Sequence, residues 1–514
     1  MPTLAVLYSP FLAKEALEIL KEEKSAVELA IENAFLLPEC KKVLVLMAKK
    51  DESLLNEIAK KCCNKNLKVI TLEKVTPFSI FQNCILEKDD ATDVFISPLE
   101  APFIDIEGAG ELYGEHMKYK AEYTFAEGYP QFIFPEILNI GLCTILSSFC
   151  KDDFSFAKDD FIFNIVKKDI NSYDIETKIA PEDVRMLKLK FIVQTKRDKL
   201  LCKAFSEINA KNYKEMLSNA PLKLKTLPRY YMIEIAPKPL HTPIYKPNVK
   251  ENDPIMSLEN FAIIVEKISK FSNDAIISLS LYGDPLEHFE FIEIVKKALF
   301  YKNISLLIET HGTAEGIKET MQEVKNVLEK EELRPSLVSP LYWITFIDAI
   351  SFKTYSTVYN VDEKEAEKLL KKANETAEFS KTLFGKDAFV QIVRMNENED
   401  DLEMFYRGWK DKGLEVIIQK YDYFCAMLPD RRVADLSPLK RMPCRHIARE
   451  MSITSSGDVL LCREDVKGSC IMGNALKEDL EQIWKRFDLP CTEQYNLKMG
   501  GLCELCDEYY TYNF

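Results

Sequence analysis

Ser278-Leu279-Ser280-Leu281-Tyr282-Gly283-Asp284-Pro285-Leu286 sets the architecture of the middle of this chain. A strand-like run, Ile276–Leu281, leads straight into a glycine–acid–proline turn. Glycine lets a backbone or ligand approach closely, and the carboxylate can face a cation or favour the start of the next helix. The same cadence continues on both sides. Strands are expected at Tyr230–Ile235, Ile304–Glu309, Tyr342–Ile347, Ala388–Val393 and Leu414–Gln419. Helical spacing fills Leu258–Phe271, Phe289–Tyr301, Lys364–Ser380 and Leu402–Lys412. Strands alternating with helices in this way predict a partial (β/α)6 barrel over 229–435, with its working groups at the carboxyl ends of the strands.

Upstream, residues 1–220 form a second α/β region. Leu4–Tyr8, Lys42–Ala48, Leu67–Leu72 and Asp93–Ser97 read as buried strands, and Ala26–Leu36 and Leu54–Cys63 as helices. The alternation predicts a mainly parallel sheet with helices on its faces. Ligands on such sheets sit beyond the strand ends, which singles out Ser97–Asp105. A basic, proline-containing connector at 221–228 separates the two regions.

Residues 436–514 hold six of the chain's 14 cysteines. Cys444 precedes the hairpin signal Gly457-Asp458, and Cys462 follows it. Gly500-Gly501 leads into the C-x2-C pair Cys503 and Cys506. Four thiolates so arranged suit one tetrahedral or cubane centre, and spacing alone leaves zinc and iron–sulfur both open. Cys470 and Cys491 are the alternates. Leu476–Phe487 reads as an amphipathic helix with Leu480, Ile483, Trp484 and Phe487 on one face.

The net charge of -14 argues against a dedicated nucleic-acid or anionic-membrane surface, because both need a basic face. No apolar run approaches transmembrane length. Met1–Pro10 lacks the basic start of an export signal and reads as a first strand. Together with the many cysteines this predicts a reducing cytoplasm. The cysteines outside the tail, Cys425 among them, read mostly as packing residues.

Three resemblances add to this reading. Lys24-Ser25-Ala26-Val27 and Leu99-Glu100-Ala101-Pro102-Phe103-Ile104 resemble segments of the sugar-nucleotide cytidylyltransferase fold. There Glu100 stands where that family has a metal-holding aspartate. The family's glycine-rich phosphate loop is replaced by Tyr8-Ser9-Pro10-Phe11-Leu12-Ala13-Lys14, with no glycine to cradle a triphosphate. The barrel resembles radical S-adenosylmethionine (SAM) enzymes. Tyr282-Gly283-Asp284-Pro285 is similar to their cofactor-amino turn, and Glu309-Thr310-His311-Gly312-Thr313 to the turn after their third strand. Thr345–Ala349 with the segment to Tyr359, and Arg394-Met395-Asn396, are similar to the later strands. The C-x3-C-x2-C that should follow the first strand is absent, with Pro239, Pro243 and Lys246 at its positions. The tail resembles the SPASM auxiliary-cluster domain in Pro443-Cys444, Ile453–Cys462, Met472–Asn474, Leu480–Trp484 and Cys503–Cys506. Tyr512 falls where a further cysteine of that domain belongs, so one cluster is expected. The order of regions is that of the spiro-SPASM proteins, a resemblance that implies no particular activity.

The resulting expectation is an iron–sulfur protein on a radical-SAM-like scaffold without SAM cleavage. One 4Fe-4S cluster would sit on Cys444, Cys462, Cys503 and Cys506, in a structural, redox or recognition role. Gly283 and Asp284 either bind SAM, a nucleotide or a peptide without cleavage, or merely shape a turn. His241 in the cysteine-less loop is a conceivable metal ligand. A peptide or nucleotide ligand and a redox protein are the expected partners. The alternatives are a nucleotidyl- or glycosyl-transferring enzyme using Glu100 or Asp105 with a divalent metal, and an interaction protein stabilised by zinc.

Overall fold

The computed structural model describes residues 1–49, 65–151, 155–208, 215, 225–247, 254–272, 274–330, 338–438, 441 and 443–509. The expected helix Leu54–Cys63 and Tyr512 lie outside them. The chain divides into two compact units, Met1–Thr226 and Leu227–Tyr512.

The first unit opens with β1 (Thr3–Ser9) and a small hairpin, β2 (Ile19–Lys21) and β3 (Lys24–Ser25). There follow β4 (Cys40–Ala48), β5 (Leu67–Leu72), β6 (Asp93–Pro98), β7 (Tyr123–Glu127), β8 (Glu136–Asn139) and β9 (Ile175–Ile179). Without the hairpin these make one sheet in the order β5-β4-β1-β6-β8-β7-β9. β5, β4, β1 and β6 are parallel, as their continuous apolar runs predict for strands covered on both faces. β8 reverses, pairing antiparallel with both β6 and β7. The helix Ala26–Phe35 starts at a capping box in which Ser25 and Glu28 satisfy each other's backbone amides.

In the second unit β10 (Tyr230–Ile233), β11 (Ala275–Ser278), β12 (Ile304–Thr310), β13 (Leu341–Phe346), β14 (Ala388–Arg394) and β15 (Glu415–Lys420) lie side by side in chain order. All five pairings among them are parallel. The intervening helices bury one stripe; Phe291, Ile294, Val295, Ala298 and Leu299 form that of Phe291–Leu299. Two further helices lie outside the expected set: Ile317–Glu329, which buries Ile317, Met321 and Val324 on one face, and the eight-residue Phe352–Tyr359.

The tail does not stand apart. β16 (Glu450–Ile453) pairs in parallel with β10, and the Glu234 amide donates to the Ile453 carbonyl at 2.9 Å. β17 (Asp458–Leu460) and β18 (Ile471–Asn474) add antiparallel strands to the same sheet. Gly457 makes the β16–β17 turn at φ +85°, in the region glycine favours. Leu480, Ile483, Trp484 and Phe487 join Phe261, Ile264 and Ile268 in one core. Burying side chains of this kind contributes roughly 2 kcal/mol apiece. Lys267, on the first barrel helix, donates to the carbonyls of Ala475 (2.7 Å) and Glu478 (2.9 Å). The barrel therefore fixes where the tail cysteines stand.

Candidate metal centre in the tail

Cys444 precedes the short helix His446–Arg449 that feeds β16, and Cys462 follows β17. Cys503 lies in a single helical turn, Leu502–Leu505, and Cys506 immediately after it. All four line one pocket, with Arg441, His446, Arg463, Glu464, Gln494 and Tyr509 among its walls. Burial pushes the Cys444 and Cys462 thiols up, so neither ionises readily without a cation beside it. Cys506 moves the other way, held down by a hydrogen bond from Cys425. A metal that replaces the protons relieves the cost of buried sulfur charge.

The spacing of these sulfurs carries information. Zn–S bonds of 2.3 Å place the thiolates of a tetrahedral site about 3.8 Å apart, whereas a cubane seats each on its own iron and spreads them wider. Among the described residues, the one group of three or more His, Cys, Asp or Glu ligand atoms within 4.8 Å of one another is Asp422, Asp507 and Glu508. No three tail thiols are that close. The donor set, four thiols on one pocket, suits a thiolate-bound metal centre.

Cys491 is buried in the core with its Sγ 3.5 Å from the Ile447 carbonyl, and Cys470 is exposed. Neither is among the residues lining the cavity. Cys425 is, although nothing in the sequence around it signals a ligand. It follows β15 in the run Phe424-Cys425-Ala426, whose φ angles are 50°, 52° and 65°. Three successive non-glycine residues in the left-handed region cost roughly 1 kcal/mol or more each, so the surroundings must hold them. Asp422 accepts the Phe424 amide at 2.8 Å, and the Tyr423 hydroxyl donates to the Leu505 carbonyl. Lys420 pairs with Asp507 (2.8 Å), and Arg463 with Asp422 (3.2 Å) and Glu508 (3.0 Å).

The barrel mouth is arranged differently. The loop that follows β10 turns inward. The Tyr245 hydroxyl donates to Asp348 Oδ2 at 2.7 Å, and Lys246 Nζ approaches the Gly283 carbonyl at 3.4 Å. A Cβ on Gly283 would lie 1.8 Å from the Ala236 carbonyl oxygen, so the loop backbone rests on that glycine. The Asp284 carboxylate accepts from Leu286 N (3.1 Å), Thr310 Oγ1 (2.9 Å) and His311 N (2.9 Å). Glu234 accepts the amides of Tyr282 (2.6 Å) and Gly283 (3.2 Å), and burial pushes its carboxyl up to about 7. His241 lies in the same loop and is half-buried. A second cavity, of about 100 Å³, lies beside Glu234, Pro237, Tyr282, Ser455, Asp458 and Lys467.

In the first unit, Glu100 is buried just past β6 and accepts a hydrogen bond from Ser9 at the end of β1. Burial pushes it up to about 8, so it is mostly protonated at pH 7. Asp105 caps the helix Ile106–Tyr119, accepting from the Gly108 amide at 2.9 Å.

Residues 444–507 match the family model of SPASM, an iron-sulfur cluster-binding domain. That segment is continuous with the six parallel strands β10–β15, because β16 pairs with β10. An uncharacterized protein of Treponema pallidum (strain Nichols) is 43% identical over 357 residues, which span 69% of this chain and 98% of the relative. The chain belongs to the same family as that treponemal protein. Fainter likenesses run to Streptococcus suis SuiB bound to precursor peptide SuiA, 14% identical with a TM-score of 0.41 over 72% of this chain and 85% of that one. A cytidylyltransferase from Leptospira borgpetersenii is 14% identical with a TM-score of 0.36, over 43% of this chain and 92% of that one. Among the described residues no helix is long and apolar enough to cross a membrane.

Proposed function

We propose that this chain is an iron–sulfur protein whose tail holds one 4Fe-4S cluster through Cys444, Cys462, Cys503 and Cys506, and that its barrel does not cleave SAM. The observation that carries the reading is the convergence of these four thiols on one cavity inside the segment that matches SPASM. The match of this segment to an iron-sulfur cluster-binding domain supports a cluster over a single zinc ion. When bound, such a cluster supplies one-electron transfer and cross-links the tail strands to the C-x2-C segment. The protein residues keep bulk water from the sulfur cavity and balance its charge through Arg441, Arg463 and His446. In the barrel, Tyr245 and Lys246 occupy the mouth where thiolates would be needed, and Asp284 is engaged by three donors. The cavity beside Glu234 and Lys467 is the place for a peptide or nucleotide ligand. A redox partner would approach near Cys470, and the whole would work in a reducing cytoplasm.

Anaerobic purification with iron, sulfide and zinc analysis tests the first half. About four irons per chain and a broad band near roughly 400 nm are expected. A colourless protein with one zinc would overturn the cluster. Incubation with SAM and a strong reductant tests the second half, and formation of 5′-deoxyadenosine would overturn it.

A further inference from the structure

We infer that Cys425 is a fifth sulfur ligand at the tail's metal centre, able to take a coordination position there in place of Cys503. The inference rests on the reading of the tail as a metal centre, and it adds a ligand that comes from the barrel.

Three observations carry it. Cys425 lines the same pocket as the four tail thiols, with Cys506 and Cys462 among its neighbours. Next, its backbone is held in the left-handed region together with both neighbours. Strain of this kind persists where surrounding structure imposes it, and it clusters at ligand sites. Here it turns the Cys425 side chain toward the cavity, where it meets Cys506. Finally, the ion pairs that hold the segment involve residues flanking the other sulfurs. Asp422 lies three residues before Cys425, Arg463 directly after Cys462, and Asp507 and Glu508 directly after Cys506. Lys420 closes the network from β15 onto Asp507 and Glu508. The strand exit, the hairpin end and the C-x2-C segment are thus registered to one another through their sulfur-bearing ends.

A 4Fe-4S core has four thiolate positions, and five thiols converge. Cys425 and Cys503 are both half-buried and both stand beside Cys506, so the two thiols compete for one position. Exchange of one thiolate for the other moves a proton between the two sulfurs and needs no oxidant.

The test compares full-length wild type, Cys425→Ala, Cys425→Ser, Cys503→Ala and the Cys425→Ala/Cys503→Ala pair, all purified anaerobically. Metal per chain is measured whichever metal is found, with the reduced-state EPR spectrum for iron. Alkylation with iodoacetamide followed by peptide mapping is run with and without chelator. Cys503→Ala should keep most of its metal with a changed spectrum, while the double variant should fall at least tenfold below either single. Cys425 should be protected in the loaded protein and alkylated after chelation. Cys425→Ser, which preserves size and folding, should shift the spectrum. Equal alkylation of Cys425 in both states, or a double variant that holds as much metal as Cys503→Ala, would overturn the inference. A wild type without metal of any kind would overturn the tail reading itself, a distinct result.

Discussion

The half-buried Glu450 on β16 and the buried Glu234 just beyond β10 stand on neighbouring strands of one sheet, yet the protein treats their charges in opposite ways. Burial would raise both. Around Glu450 the tail supplies cations: His446 Nδ1 lies 2.8 Å away and Arg463 is close, and together they hold its carboxyl down to about 2. Around Glu234 the mouth supplies backbone amides and a more distant Lys246, and its carboxyl rises to about 7. The tail therefore keeps the charge at Glu450, where cations stand beside it, although burial pushes its Asp422 and Glu464 carboxyls up. The mouth is built to exclude charge, with tyrosines, prolines and half-neutral carboxyls. A centre with net negative charge belongs in the first environment and not the second.

The largest effect expected from breaking this contrast is at Cys462, which sits between β17 and the Arg463 network. Cys462→Ala should lower bound metal below roughly a tenth of wild type and remove the stabilisation that chelator-sensitive melting reveals. Equal metal content in the variant would dissolve the distinction between tail and mouth.

Gly283→Ala comes next and strikes the mouth. The added methyl would fall 1.8 Å from the Ala236 carbonyl, a backbone atom that cannot swing aside. A loss of at least about 3 kcal/mol is expected by denaturant titration. Metal bound per folded molecule should also fall, because the adjacent Tyr282 donates to the Arg463 carbonyl at 2.8 Å, next to Cys462. Unaltered stability would mean that the loop does not rest on Gly283 in solution.

These sites differ in how far the sequence exposes them. The barrel strands were legible because Ile277, Leu306, Ile308, Val390 and Ile392 make an apolar pattern that only packed strands need. The four tail cysteines were legible through a turn glycine and a C-x2-C. Cys425 was not, since its role depends on β15 ending beside the tail, a tertiary fact with no local signal. The continuity of β10 with β16 was equally hidden: more than 200 residues separate strands whose pairing depends on backbone alone. Tyr245 and Lys246 looked like loop residues because their partners, Asp348 and Gly283, come from other strand ends.

Glu234→Gln sharpens the electrostatic half of the comparison. Because the folded carboxyl titrates near 7 and its ordinary value is 4.5, the folded state holds the proton more tightly. Its contribution is therefore full below pH 4.5 and is lost as pH rises through about 7. Each unit is worth about 1.4 kcal/mol, so the variant should gain roughly 3 kcal/mol relative to wild type between pH 4.5 and 8. Urea titrations across that range measure it, and a pH-independent gap would show that Glu234 is ionised throughout.

The smallest effects separate two tyrosines. Tyr245 donates to Asp348 in the mouth, where Tyr359 Oη (2.9 Å) and the Val393 amide (2.8 Å) donate to the same carboxylate. Burial pushes Asp348 up to about 6, so at pH 8 it is charged and at pH 5 mostly neutral. A hydrogen bond to a charged group is worth more than one to a neutral group. Tyr245→Phe should then cost about 2 kcal/mol at pH 8 and about 1 kcal/mol at pH 5. Tyr423 donates to the uncharged Leu505 carbonyl near the surface, and Tyr423→Phe should cost under about 1 kcal/mol at either pH. If the Tyr423 variant instead lost metal as well as stability, the clamp on the Phe424–Ala426 run would matter more to the tail centre than the ion pairs of Lys420 and Arg463.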